Sequence, residues 1–297
     1  MSQNHGICVI HLARAKNDIK SFADFLDSYR RRQPGIDHKL AVIFKGFTDD
    51  NKLNEYRTLL SGLPYQSVFV DDSGFDIGSY FSAANTFDFE YLCFLNSHSV
   101  IVDDGWLGKL FKHIQRDSIG IVGATGSYES MASGLVQSMQ TDEQSWQGWK
   151  KRLLSIRSGF RHAVSLKMNF PSFPNYHIRT NAFMISRQLM LGIRAWPMRS
   201  KMDIYRFESG RHSLTRQILS MNLRALVVGR DGEAYEKECW HESETFRSGT
   251  QQNLLVSDNQ TRFYSELDAQ TKAILTERTW GRRQSAGCAQ NAPDAQL

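Results

Sequence analysis

The chain has 297 residues, 41% of them apolar and 23% charged, enough for one large α/β domain or two modest ones. A net charge of +5 suits an anionic ligand such as a diphosphate, or contact with an acidic membrane surface. It excludes nucleic acid as a partner, because no long Lys/Arg stripe with interleaved aromatics appears. In chain order, short β-branched and aromatic runs predict buried strands at Ile7 to Leu12, Leu40 to Phe44, Ser67 to Val70, Tyr91 to Leu95 and Ile119 to Val122. Between them, Ile19, Phe22, Phe25, Leu26 and Tyr29 recur at helical spacing behind a cap at Asn17 or Asp18. Further helices are predicted over Asp50 to Leu60, ended by Ser61-Gly62-Leu63-Pro64, and over Trp106 to Ile114.

From about Gly126 to Pro174 the pattern loosens into an insertion or connection, with a helix predicted from Trp146 to Ser158. A strand over Thr180 to Ile185, a short helix, a helix over Ser213 to Met221 and a strand over Leu223 to Val228 follow. The basic runs Arg30-Arg31-Arg32 and Lys150-Lys151-Arg152 read as solvated helix faces. Cys8, Cys93, Cys239 and Cys288 lack CxxC spacing and are read as buried free thiols in a reducing compartment. The start MSQNHGICVIHLAR has neither the basic opening nor the apolar stretch of a signal peptide, and no run reaches the roughly 18 apolar residues that span a bilayer. The expectation is therefore a cytoplasmic, soluble protein.

Strand-helix alternation implies a mostly parallel sheet with helices on both faces, whose ligands sit beyond the carboxyl ends of the strands. The residues at those ends carry the functional signal. Tyr91-Leu92-Cys93-Phe94-Leu95-Asn96-Ser97-His98-Ser99, followed by Asp103-Asp104-Gly105-Trp106-Leu107, is a buried strand that ends abruptly in small polar residues ahead of a helix opening with Trp-Leu. This passage resembles the GT-A glycosyltransferases of the family-2 kind, in which a strand of the type Y-h-h-F-L-D-x-D (h apolar) is followed by a W-L-x-x-L helix. The resemblance spans roughly residues 6 to 230 and is strongest from Phe75 to Gly123.

The resemblance implies a single GT-A-like domain over 1–282, with a nucleotide-binding half at about 6–125, an acceptor half at about 126–282 and a disordered tail at 283–297. It implies a nucleotide-sugar donor, a glycan or lipid-linked acceptor, a place in polysaccharide biosynthesis, and Mn²⁺ or Mg²⁺ held by the two carboxylates. In this chain Asn96 and His98 replace those carboxylates, with Ser97 between them. Asn offers a neutral carbonyl, and His suits a transition metal better than magnesium. Three readings follow: cationic side chains replace the metal, His98 binds Mn²⁺ weakly, or the chain is a non-catalytic relative that binds nucleotide sugar or glycan.

His11, Ala13 and Arg14, after the first strand, fall where such enzymes cradle the nucleotide base. Asp76 and Gly78 fall where they contact ribose, base or diphosphate; an N-terminal helical turn is the other reading of Asp76. Gly123-Ala124-Thr125-Gly126 is a glycine-rich turn open to phosphate or acceptor, though not a Walker motif.

Inverting transfer needs a carboxylate to take the acceptor's proton. Family-2-like enzymes place this base at an acidic residue just before a helix in the second half, and the stretch around Tyr205-Arg206-Phe207-Glu208-Ser209-Gly210 resembles that segment. Glu208 is the candidate base, with Asp203 the runner-up, and an ordinary helix-start carboxylate is the other reading of Glu208. A comparable run in GT-A enzymes lines the donor sugar and acceptor, so Arg179, Thr180 and Asn181 are candidates for sugar hydroxyls or phosphate, with a surface salt bridge the other reading of Arg179. His241 is a second candidate metal ligand, Arg247 a phosphate partner, and Trp240 either a sugar platform or core. Asp258 or Asn259 caps a further helix. The absence of Q-x-x-R-W points to single transfer rather than polymer extrusion. A nucleotidyltransferase is disfavoured, because HLARAKNDIK lacks a glycine-rich loop.

Overall fold

The computed structural model describes residues 6–133 and 164–282. The readings of Trp146 to Ser158, Lys150 to Arg152 and the tail 283–297 lie outside these residues. Among the described residues the strands are β1 Ile7–Arg14, β2 Lys39–Lys45, β3 Tyr65–Val70, β4 Tyr91–Leu95, β5 Val100–Ile101, β6 Ile119–Gly123, β7 Gly126–Ser127, β8 His177–Ile178, β9 Ala182–Ser186, β10 Arg224–Val228, β11 Ala234–Tyr235 and β12 Val256–Ser257. The helices with a role below are α1 Ile19–Arg31, α2 Asp50–Leu59, α3 Phe75–Thr86, α4 Trp106–Ile114, α5 Arg187–Gly192, α6 Lys201–Ser209, α7 Leu214–Ser220, α8 Asn259–Glu266 and α9 Ala269–Trp280.

Eight strands form one sheet in the order β11-β10-β6-β9-β4-β1-β2-β3. The β1–β2, β2–β3, β1–β4 and β6–β10 pairings are parallel, while β9 is antiparallel between β4 and β6. The expected mostly parallel sheet flanked by helices is what the chain adopts. Because β9 runs backwards, its first residue, Ala182, pairs with Leu95, the last of β4. The segment entering β9 therefore lies at the same sheet edge as the carboxyl ends of β1, β4 and β6.

Alternate side chains on a strand point to opposite faces. Val9 and Ala13 of β1 join the core under α1, α2 and α4, with Phe22, Phe25, Leu26, Tyr56 and Trp106. Cys8, Ile10 and Leu12 join the core under α3, α5, α6 and α7, with Tyr80, Phe94, Met190 and Phe207. Burying each large apolar side chain contributes roughly 1.5–3 kcal/mol. Asp18 caps α1 as expected, its carboxylate accepting from the Lys20 N–H at 2.9 Å. Cys8 and Cys93 are free and buried, but Cys239 is disulfide-bonded, which corrects the expectation of a free thiol there. Among the described residues no helix is long and apolar enough to cross a membrane.

The same parity corrects His11. Strand β1 runs two residues beyond the predicted Leu12, so His11 is an interior strand residue facing α1 rather than a loop residue facing a ligand. It is fully buried, stacks on Phe25 at 3.8 Å between ring centroids, and has no hydrogen-bond partner for either ring nitrogen. Burial, aided by the charge of His98, pushes its imidazole down to about 3. The folded state thus holds His11 neutral while the unfolded chain protonates it below about 6.5. The stability linked to this group is fully present above that pH and is lost as pH falls toward 3, at about 1.4 kcal/mol per pH unit. His11→Phe should shrink the difference in urea unfolding free energy between pH 7.5 and 5 by about 2 kcal/mol. An unchanged difference would show that His11 is not held neutral.

Candidate functional site

The tip of β4 is built by its own side chains. The Asn96 N–H donates to the Asn181 carbonyl at 2.9 Å, which fastens the tip to the segment entering β9. Asn96 Oδ1 accepts from the His98 N–H at 2.9 Å and from Ser99 Oγ at 3.0 Å, an Asx turn that ends the strand. Ser97 is buried and accepts from Asn17 Nδ2 at 2.8 Å. His98 is partly exposed; its Nδ1 lies 3.4 Å from Ser21 Oγ, and its carbonyl accepts from Arg262 at 3.2 Å. Burial, then the charge of Arg262, lowers the His98 pKa.

A divalent cation needs several oxygen or imidazole donors converging on one point. Here the Asn96 carbonyl oxygen already serves the turn. His241 keeps different company, 3.5 Å from the Tyr128 hydroxyl and 3.7 Å from Glu242. Among the described residues no group of three His, Cys, Asp or Glu side chains lies close enough to hold a metal. These residues do not make up a divalent-cation clamp on their own.

Beside the tip, the ends of β1 and β2 bring cations to the loop before α3. Arg14 donates to Asp72 from Nη2 at 3.1 Å and Nε at 3.3 Å, and Lys16 pairs with the same carboxylate. The fully buried Lys45 donates from Nζ to the carbonyls of Asp71, at 3.1 Å, and Ser73. Burial lowers its pKa, with Asp72 and Asp76 opposing. Gly74 and Phe75 both take positive φ, 68° and 49°, so the chain turns tightly into α3. Asp76 then sits in the first turn with no hydrogen bond to another described residue. Burial raises its carboxyl pKa, partly offset by Arg14, Lys45 and His98. At Gly78 a Cβ would meet nothing within 4 Å, so a ligand can approach this backbone. Ala13 contributes only a buried methyl.

The segment Arg179-Thr180-Asn181 joins this region to the second half. Glu208 Oε1 accepts from the Thr180 N–H at 2.9 Å and from Thr180 Oγ1 at 3.1 Å. Tyr80, one turn after Asp76 on α3, reaches the same segment: its hydroxyl donates to the Thr180 carbonyl at 3.4 Å, and burial, then the charges of Asp76 and Glu208, raise its pKa. Asn181 is 3% exposed; its Oδ1 accepts from Thr125 Oγ1 at 2.6 Å, and its Nδ2 has no partner. Glu208, Arg179, His177, Tyr205 and Arg247 line a cavity of about 400 Å³.

Several sequence readings change here. Glu208 lies in the last turn of α6, a helix missing from the predicted elements although Ser200 and Asp203 form its capping box. That box occupies Asp203 at the far end of α6, which removes it as a base. Arg179 is committed to Asp258 at 2.8 Å and lies over the Phe246 ring at 4.0 Å; it is ion-paired, but in a buried pair rather than the surface salt bridge expected. Arg247 pairs with Glu129 at 3.1 Å. Trp240 is core, fully buried and donating to the Tyr235 carbonyl at 3.0 Å. The glycine-rich turn is packed rather than open: a Cβ on Gly126 would meet Trp240 and Val227 at 2.8 Å. Asp258 caps α8, as predicted. Sequence reading passed over Lys45, Tyr80 and Arg262; a lysine closing the apolar run Leu40 to Phe44 was the one local signal among them.

No protein-family model matches the chain, and no curated protein matches it. Among solved structures, it is similar to the mannosyltransferase PcManGT from Pyrobaculum calidifontis in complex with GDP-Man and Mn²⁺, with 14% identity over 82% of this chain and 61% of that one and a TM-score of 0.48. Residues 1–349 of S. aureus TarS in complex with UDP-GlcNAc match at 17% identity over 40% of this chain and 33% of that chain, TM-score 0.33. The 4-diphosphocytidyl-2C-methyl-D-erythritol synthase of Anaerococcus prevotii matches at 11% identity over 75% of this chain and 88% of that chain, TM-score 0.41. The chain thus spans about three fifths of the mannosyltransferase's length and a third of the TarS fragment's. These likenesses are too slight to assign a role, and the site is read from its own geometry.

Proposed function

We propose that this chain is a GT-A-like glycosyltransferase that moves a sugar from a nucleoside-diphosphate donor to a glycan or lipid-linked acceptor with inversion. One observation carries the reading: the Asn96 N–H bonds the Asn181 carbonyl, Glu208 accepts from Thr180 in the same segment, and Tyr80, on the helix that carries Asp76, reaches the Thr180 carbonyl at 3.4 Å, so the three groups lie at one end of the sheet. On the donor side, Asp76 accepts from a ribose hydroxyl or base N–H, and the backbone at Gly78 lies against the nucleotide. Arg14 and Arg262 supply positive charge for the departing diphosphate, while the buried Lys45 fixes the loop ahead of α3 by donating to the Asp71 and Ser73 carbonyls. On the acceptor side, Glu208 takes the hydroxyl proton as that oxygen bonds the anomeric carbon. The bond from carbon to diphosphate oxygen breaks on the opposite face, and its electrons leave with the diphosphate. Thr180 fixes Glu208 through Oε1, which leaves Oε2 for the proton.

Thermal melting with UDP-, GDP-, dTDP- and CMP-sugars, with and without Mn²⁺, tests the donor half. One donor should raise Tm by mass action. Asp76→Ala should weaken that donor about 10- to 100-fold, the loss expected for a hydrogen bond to a charged group. If no nucleotide sugar shifts Tm, the proposal fails. The second reading, a non-catalytic binding relative, draws on Asn96, whose carbonyl serves the turn. It predicts the same donor shift with no transfer.

A further inference from the structure

The chain's charge is unevenly placed. Residues Arg187 to Met221 carry seven Lys and Arg side chains and two carboxylates, a surplus equal to the whole net charge of +5. Of these, Arg187 pairs with Asp88 at 3.0 Å, Arg206 with Asp203 at 3.5 Å, and Arg211 donates to the Met168 and Lys167 carbonyls, while Glu208 is held by Thr180. Arg194, Arg199 and Lys201 are exposed, and their side chains make no hydrogen bond or ion pair with a described residue. Apolar side chains stand among them: Leu191 is 39%, Tyr205 43% and Met221 45% exposed. Part of this surface is joined directly around Arg194, and Arg199 and Lys201 follow it within seven residues. Gln217 binds the Arg194 backbone in both directions, at 2.8 and 3.1 Å, and the His212 carbonyl at 2.9 Å. Arg194, Trp196, His212 and Met221 line one shallow cavity.

We propose that this face docks on an anionic membrane. Unpaired cations answer lipid phosphates, and interleaved Leu, Trp, Tyr and Met side chains answer the apolar boundary below them; a soluble acidic partner would require only the first. Helix α6 begins at the exposed Lys201, and its Tyr205, with Glu208 in the last turn, lines the cavity on the acceptor side. Docking would bring that cavity to the membrane, where a lipid-linked acceptor resides. The docking claim stands apart from the transferase reading, since vesicle binding is measured without donor or acceptor.

The full chain should sediment with vesicles containing about one-third phosphatidylglycerol in phosphatidylcholine and not with phosphatidylcholine alone, less so as salt rises. The triple variant Arg194→Ala/Arg199→Ala/Lys201→Ala should lower the partition coefficient on the order of 100-fold. Leu191→Ser/Met221→Ser should lower it several-fold, and substituting Arg30, Arg31 and Arg32, at the end of α1, by Ala should leave it unchanged. Unaltered melting curves establish that the variants fold. No binding to anionic vesicles, equal binding to neutral ones, or full binding by the triple variant overturns the proposal. Full binding by Leu191→Ser/Met221→Ser does so too, since it would reduce the face to an electrostatic patch suited to an acidic protein.

Discussion

Glu208→Gln should abolish sugar transfer while leaving donor binding intact. The amide keeps an oxygen where Oε1 accepts from Thr180, so α6 and the Thr180 segment stay in place. What it loses is the ability to take a proton. Removing a positioned general base lowers turnover roughly 10²- to 10⁴-fold. The donor-induced rise in Tm should match that of the unaltered chain, because Asp76, Gly78, Arg14 and Lys45 are untouched. Transfer within tenfold of the original would exclude Glu208 as the base. A lost donor shift would instead mean that Glu208 serves the donor. Glu208→Asp is a sharper control: it retains the charge but withdraws the carboxylate from Thr180, so activity should fall without a change in donor affinity.

Local pattern sufficed for the sheet, because buried parallel strands are continuous apolar runs and the covering helices show their apolar stripe. Trp106–Ile114 appears with its predicted bounds, and Asp18 and Asp258 are caps as read. Failures came where partners are distant in sequence or where one residue of strand length decides a direction. His11 was misjudged because it was placed after the strand although it lies inside it, and on a period of two it shares the face of Val9 and Ala13, which packs under α1. Arg179 was legible as a charge entering a strand, but its partner, Asp258, lies 79 residues away. Lys45 ends an apolar strand, and only the fold shows it tying down the carbonyls of Asp71 and Ser73. The disulfide at Cys239 had no spacing signature at all.

The Arg179–Asp258 pair should be the most damaging one to break. Asp258 is 1% exposed and caps α8, while the Arg179 side chain is 12% exposed. Burial pushes the Asp258 carboxyl up, but the Arg179 charge and the Thr261 hydrogen bonds outweigh it and hold the pKa below the usual range. This is a depressed carboxyl, so its stabilisation is present above the unfolded value near 4 and fades as pH falls through the lower folded value. Arg179→Met removes the counter-charge and keeps most of the bulk over Phe246. It leaves a buried carboxylate unpaired, which costs about 3–5 kcal/mol at neutral pH. Near pH 4 the orphaned carboxyl can protonate, and the deficit should narrow. Arg179→Met/Asp258→Asn should recover much of the loss, because a neutral amide can still accept from the Thr261 N–H at the cap. Denaturant unfolding of the four proteins at pH 7 and pH 4 measures each term. If Arg179→Met instead keeps its stability and loses only donor or acceptor affinity, the guanidinium is spent on substrate rather than on holding α8 against the site.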